Sequence, residues 1–498
     1  MDRERGETVL FNDRYGMHRL YYHESPDALY FASEAKALLA LLPDLRKLDM
    51  RGLGEFVSCG AVLENRTLFQ GIHVLPPGSA WTFRQGRLEK KDAYFSPSTW
   101  EQQEMLGEEQ AYQRLRAAFS ACLPQHFGGD EPIGLSLTGG LDTRLILACH
   151  PPQPGQLPCY TFGSMFHENQ DVRVARRVAN ACGQSHQVLT ASQDFLAQFH
   201  HYAERAIYLT DGCVDVSRAP DLYLNERARQ IAPVRMTGLY GGEILRGVRT
   251  FKPQPPAPGL FAGNFLSHFE QAKQTYERLT QCHPVTFAAY MQGPWHLRGS
   301  LALEETQLSM RTPFLDNDFL QAVYHLPATA LAGDEVSLRL IRDGNPALAR
   351  IPTDRGLHDP RTSLRSRMAH AALEFQFKAE YAYDMGMPQW LARIDHALRP
   401  LHMERLFLGR HKPFHFRVWY RDQLAGYLRE VLLEERSLAR PYLERHGVKT
   451  MVEAHLRGVR NYTTEIHKVL TLELLHRTLL EDAFPIGKQS AHALAVAP

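Results

Sequence analysis

Up to about residue 100 the chain alternates short apolar runs with glycine and proline turns. Stretches 8–11, 19–22 and 29–32 read as strands, and Leu75-Pro76-Pro77-Gly78 reads as the turn before another at 80–83. The polar stretch 97–107 reads as a linker. Beyond it Ala111, Leu115, Ala118, Phe119 and Cys122 recur at helical spacing, and Gly128-Gly129-Asp130 closes that helix. From there strands and helices alternate, which implies a parallel sheet. Strands are expected at 132–135, 159–162, 187–189 and 233–237. Between them fall a helix from 144 to 149, one capped by Asn169-Gln170-Asp171 with Val174, Val178, Ala181 and Cys182 buried, and one at 193–207. The rest is largely helical, with one apolar face around Trp419, Leu424, Leu428 and Val431 and another around Val469, Leu470, Leu472 and Leu475. The tail 490–498 is rich in small residues and is expected to fray.

The candidate chemistry starts at the first of these strand–helix corners, Leu135-Ser136-Leu137-Thr138-Gly139-Gly140-Leu141-Asp142-Thr143-Arg144. Two adjacent glycines let the backbone turn tightly and aim successive amides at one point. The helix behind them adds unsatisfied N–H groups and the positive end of its dipole, so the corner suits phosphate or pyrophosphate. Thr138 and Thr143 add hydroxyls, and Asp142 suits the magnesium ion that travels with a nucleotide. No Gly-Lys-Ser/Thr follows, so this is not a Walker loop.

Thr-Gly-Gly-Leu-Asp-Thr resembles the Ser-Gly-Gly-X-Asp-Ser pyrophosphate loop of the N-type ATP pyrophosphatases, and among them the glutamine-hydrolysing asparagine synthetases. The resemblance implies an α/β fold: a doubly wound, mostly parallel sheet of the adenine-nucleotide α-hydrolase type over residues 108–498. Ahead of it, over 1–100, it implies a truncated remainder of an Ntn-type glutaminase sheet domain. Asp13-Arg14-Tyr15-Gly16-Met17-His18-Arg19-Leu20-Tyr21 is similar to a segment of that domain, as are 31–38 and 67–78.

Carried onto this chain, the resemblance implies an ATP site. Ser136, Leu137, Thr138, Gly139, Gly140, Leu141 and Thr143 would form the loop, Phe162 would lie beside adenine, and Thr237 and Gly238 would take the ribose and phosphate side. Asp142, Glu243 and Arg355 would be catalytic, with Asp142 also holding magnesium. Asp211 and Asp215 would approach the acceptor. Two departures stand out in Thr237-Gly238-Leu239-Tyr240-Gly241-Gly242-Glu243: the family's Glu falls on Leu239 and its metal-binding Asp on Gly242. The family's late lysine has no clear match, Arg355 being the nearest cation.

The implied activity is ATP-dependent amide formation. A carboxylate is adenylated, and free ammonia or an amine displaces AMP, with aspartate to asparagine as the default pair. Cyclases of the β-lactam synthetase or lasso-peptide type are alternatives, as is a catalytically degenerate nucleotide-binding protein. The family's glutaminase nucleophile is a cysteine directly after the initiator methionine, and position 2 here is Asp2, so no glutamine hydrolysis is expected.

Composition narrows the partners. Lys plus Arg number 56 against 55 for Asp plus Glu, so no global field favours nucleic acid or membrane. The seven cysteines are scattered without a C-x-x-C pair, which favours reduced thiols in a cytoplasmic protein. Asp316 reads as a helix cap or salt-bridge partner, while His411 and His415, four apart but interrupted by Pro413, read as surface residues, as do His200 and His201.

Overall fold

The computed structural model describes residues 4, 6–85, 87–356, 364–398, 404 and 408–481. Its N-terminal strands are β1 (Glu7–Phe11), β2 (Tyr21–Glu24), β3 (Leu29–Ala32), β4 (His73–Val74), β5 (Ser79–Arg84) and β6 (Arg87–Ala93). They form two three-stranded sheets, in the orders β1-β5-β6 and β3-β2-β4. Strand β6, Arg-Leu-Glu-Lys-Lys-Asp-Ala, has no apolar alternation because most of it is exposed. It is held by the β5 ladder instead, with Lys91 opposite Trp81 and its ammonium 4.7 Å from that ring. The helix Met50–Cys59 was not expected from apolar periodicity, yet both ends carry signals: Asp49 accepts from the Gly52 amide at 2.7 Å, and Gly60 ends it at φ 75°.

The second sheet system comprises β7 (Ile133–Ser136), β8 (Cys159–Gly163), β9 (His186–Thr190), β10 (Val234–Met236) and β11 (Ser309–Arg311). The strands lie in the order β11-β10-β7-β8-β9 and every pairing is parallel. Strand β11 has only three residues, too few to show a period of two. Parallel strands with helical connections are covered on both faces, which is why β7, β8 and β10 read as near-continuous apolar runs. The pairing of Leu135 with Met236 brings the loops that leave β7 and β10 side by side at the carboxyl end of the sheet.

Three expectations are corrected. Segment 97–107 is not a bare linker: Trp100 is buried and packs edge-on against Phe95 at 4.8 Å. The expected helix 193–207 is two, Gln193–Ala197 and Phe199–Leu209. His411 and His415 are buried, because the chain around Pro413 folds inward against the Glu380 carboxylate, which accepts from the amides of Gly409 and His411 at 2.6 and 2.8 Å. His200 and His201 are exposed and Asp316 caps Asn317–Val323, as expected. The tail 490–498 lies outside the described residues.

One core packs on the parallel sheet through residues such as Leu137, Leu145, Val178 and Met236. Another joins the N-terminal segment to the C-terminal helices, with Leu53 and Phe69 in the same cluster as Trp419 and Leu470. Among the described residues no helix is long and apolar enough to cross a membrane.

Candidate functional site

Past β7 the chain turns through Thr138-Gly139-Gly140 into the helix Asp142–Cys149. Gly139 is wedged between two acidic residues: a Cβ on it would lie 2.9 Å from the Asp354 Cβ and 3.2 Å from the Asp171 Cα. Its amide donates to Asp171 Oδ1 at 2.6 Å, and its carbonyl accepts from Arg144 Nη2 at 3.1 Å and from the Asp354 amide at 3.2 Å. The Thr138 amide donates to Thr143 Oγ1 at 3.2 Å, and the Gly140 amide to Thr138 Oγ1 at 3.4 Å. Three loop amides are thus engaged within the protein, two of them by hydroxyls that an incoming phosphate would have to displace. Leu137 and Leu141 turn their side chains into the core, which leaves only their backbone to face the turn. Burial, reinforced by Asp354, pushes the Asp171 carboxyl up to about 7 against the Gly139 hydrogen bond. Asp354 is itself raised by burial, with Arg355, His411 and Arg144 opposing.

The turn after β10 packs onto the same corner. Cβ atoms on Gly238 and Gly241 would lie 2.8 Å from the Asp142 Cβ, and one on Gly238 would lie 2.9 Å from the Thr143 amide nitrogen. Only glycine admits that approach. Thr237, buried, accepts from the Leu239 amide at 3.3 Å. Both oxygens of Asp142 are held by Arg246, whose Nη1 donates to Oδ1 at 2.6 Å and Nη2 to Oδ2 at 3.0 Å. Glu243, beside this pair, is pushed up to about 7 by burial, with Asp142 adding to the shift and Arg246 opposing it. Magnesium takes one or two carboxylates together with waters and the phosphates of its nucleotide. Here both Asp142 oxygens are engaged by Arg246, Gly242 offers no donor and burial raises the Glu243 carboxyl, so a magnesium ion held by Asp142 would have to displace the guanidinium.

On the opposite side of β7, Ser136 Oγ accepts from Arg235 Nη2 at 2.9 Å. That buried guanidinium also donates to Asn225 and Glu304, at 3.0 and 2.8 Å, and lies 5.4 Å from the centre of the Phe162 ring. Ser136 and Phe162 therefore share one cationic neighbour. Only an arginine in the middle of an apolar strand hinted at it.

Two family models match the chain. A glutamine amidotransferase domain model covers residues 1–95, and an asparagine synthase model covers 114–382, more than half of the 498 residues. The chain belongs to the asparagine synthase family. Two glutamine-hydrolysing asparagine synthetases of Bacillus subtilis, numbers 1 and 3, are 24% and 26% identical to it, over 50% and 56% of this chain and 39% and 46% of their own lengths. A probable glutamine-hydrolysing asparagine synthetase of Schizosaccharomyces pombe is 23% identical over 65% of this chain and 53% of its own. The chain thus spans about half or less of these curated relatives.

The remaining candidates of this asparagine synthase-family chain separate in space. Asp211, at φ 53° and buried, accepts from the amides of Ala35 and Lys36 at 2.8 and 3.1 Å and lies 3.5 Å from the Lys36 ammonium. Its carboxylate caps an N-terminal helix, which corrects its placement at the acceptor. Asp215 instead lines a cavity of ≈ 400 Å³ with Arg218, His296, Asp384 and Lys412. Burial alone would raise the Asp215 carboxyl, but His467, Ser217 and Arg218 outweigh it and hold it below the ordinary value. Lys412 pairs with Asp384 at 3.1 Å, a cation that no spacing in the sequence pointed to. Its segment reaches the start of the helix that carries Asp171, since the Arg410 carbonyl accepts from the Gln170 amide at 2.7 Å. Arg355 is exposed, its guanidinium 3.9 Å from the centre of the Phe377 ring, and its charge acts on Asp354 and His411. One group of metal-ligand type exists among the described residues, Cys122, His126 and Asp316. The Asp316 oxygens there are already engaged by the amides of Asp318 and Phe319 and by Gln125.

Proposed function

We propose that the chain is an ATP-dependent amide-forming ligase. It adenylates a small carboxylate, aspartate by default, and passes the acyl group to free ammonia or an amine. In this reading the parallel sheet is of the doubly wound ATP pyrophosphatase type, and ligands gather where the loops leave its strands. One observation carries the proposal: the glycine turns after β7 and β10 close on each other around Asp142 and Thr143, with Gly238 and Gly241 too near to accept a side chain. Two such turns meeting at one helix start make a corner shaped for a polyphosphate. The charged cavity around Asp215, Arg218 and Lys412 is the acceptor's place, its mixed signs matching a molecule that carries both a carboxylate and an amine.

A second reading, a nucleotide-binding protein without turnover, is favoured by the internal bonds of the Thr138, Gly139 and Gly140 amides. Pyrophosphate release decides between them, measured with ATP, magnesium as the usual companion of the triphosphate, ammonia and a panel of carboxylates. Aspartate-dependent release supports asparagine formation. Release with a different carboxylate or an internal amine supports a relative such as a β-lactam synthetase or lasso-peptide cyclase. ATP binding with no release under any condition overturns the ligase.

A further inference from the structure

The cavity that holds Asp215 is large for aspartate. Its ≈ 400 Å³ falls in the range that takes drug-sized ligands, about 300–1,000 Å³, and so short an acid would leave much of it to water. Part of the wall is also apolar: Val214, Met385, Phe414 and Phe416 line it beside the charged groups. Trp419 fixes the two rings from behind, its centre 6.1 Å from Phe414 and 4.9 Å from Phe416. Aspartate has no apolar group to cover them.

The charges in the cavity are balanced before any ligand arrives. Lys412 is paired with Asp384 at 3.1 Å, and Arg218 Nη1 donates to Asp221 Oδ2 at 3.2 Å. His296 adds no charge at neutral pH, because burial lowers its pKa to about 4, with Arg218 assisting and Asp215 opposing. Asp215 Oδ1 accepts from the Ser217 amide and hydroxyl, while Oδ2 accepts no hydrogen bond among the described residues. Arg218 keeps N–H groups beyond the one given to Asp221. A free acceptor and a cation with donors to spare fit an ammonium and a single carboxylate. The second carboxylate of aspartate would meet no unopposed cation, and a charge taken out of water without a partner is costly. The cavity's wall also reaches the glycine corner. His411, next to Lys412, is close enough to Asp354 to act on its carboxyl, and Asp354 packs against Gly139.

Resting on the ligase reading for the cavity's role, we propose that its acceptor is an α-amino acid with a large apolar side chain, of the leucine or phenylalanine kind, rather than aspartate. Asp215 takes the ammonium, Arg218 the carboxylate, and Phe414 and Met385 the side chain. Titration calorimetry of the full chain with L-phenylalanine, L-leucine and L-aspartate, each with and without a non-hydrolysable ATP analogue, tests it. Phenylalanine or leucine is expected to bind at least about tenfold more tightly than aspartate. Phe414→Ala is expected to weaken the apolar amino acid by about tenfold or more and to leave aspartate within about twofold of wild type. Asp215→Asn keeps the side chain's shape, so it carries the test if Phe414→Ala misfolds, and it should weaken the same amino acid by about tenfold or more. Aspartate bound as tightly as either apolar amino acid, or folded variants that bind as wild type does, overturns the proposal. Binding of none of them, with or without the analogue, overturns it too. Pyrophosphate release tells its failure from that of the ligase reading. Release driven by aspartate alone leaves the ligase standing and removes the apolar acceptor. Tight binding of phenylalanine or leucine, with no release from any carboxylate, keeps the cavity's ligand and removes the ligase.

Discussion

Arg144 is 1% exposed; carbonyls meet its guanidinium, and the nearby Asp354 charge favours its protonated form. It donates to Gly139, Leu348, Ile351 and Pro352, so it ties the glycine turn to the segment that carries Asp354. Burial lowers its pKa to about 10, which still leaves it charged. Arg144→Met keeps the bulk and removes the donors, leaving buried carbonyls unpaired. The expected cost is about 2–4 kcal/mol in urea unfolding, and an unchanged midpoint would show that the carbonyls find other donors. Acids flanking the same turn make a pH prediction. Asp171 moves from 3.8 to about 7 and Glu243 from 4.5 to about 7. An acid whose folded pKa lies above its unfolded one binds more protons when folded between the two values. Stability from these groups is therefore full below pH 4 and lost as pH rises toward 7, at up to about 1.4 kcal/mol per pH unit for each. Asp171→Asn, whose amide oxygen still accepts from Gly139, is expected to flatten that slope relative to wild type. Equal slopes across pH 4–7 would refute the assignment.

At the scale of elements, the chain's helices are held as much by distant side chains as by their own sequence. The Ala35–Leu41 helix has no capping side chain at Glu34, and Asp211 supplies the missing acceptor from 175 and 176 residues away. Asp211→Ala would strand two amides and the buried ammonium of Lys36. We expect a loss of about 3–5 kcal/mol in denaturant titration, with ATP affinity unchanged in the folded protein. A fall in acceptor-dependent pyrophosphate release, with stability and ATP affinity intact, would return Asp211 to the acceptor site. Local signals were readable where an element carries its own ends, as at Asn169 and Gly183 or at Asp316. They were not readable for β6, which is polar and held by a ladder, or for β11, which is too short to show a pattern.

Across the whole molecule, the N-terminal sheets and C-terminal helices share one apolar cluster, with Phe69 and Leu53 alongside Trp419 and Leu470. Full-length chain should unfold in one transition, with near- and far-UV circular dichroism coincident. A chain starting at residue 108 should lose that cooperativity, because the apolar faces under Leu53 and Phe69 would meet water. Two separate transitions in the full chain would show that the halves fold alone. The charged cavity proposed for the acceptor also draws on distant parts of the chain, combining Gly60, Asp215 and Lys412. Asp215→Asn should lower acceptor-dependent pyrophosphate release by about tenfold or more while leaving ATP affinity within about twofold of wild type. Equal losses in both would place Asp215 at the nucleotide instead.

By itself, the order of residues determined the strand–glycine–helix corner at 138–143, the alternation that makes a parallel sheet and the apolar faces of the late helices. These are local properties, written in backbone freedom and in a hydrophobic period that a short window contains. Only the folded chain decided that Arg246 claims Asp142, that Asp171 holds the Gly139 amide and that Asp211 caps the helix Ala35–Leu41. Each depends on a charge finding its partner across 32 to 176 residues of sequence. No spacing rule encodes such a meeting; packing alone sets it.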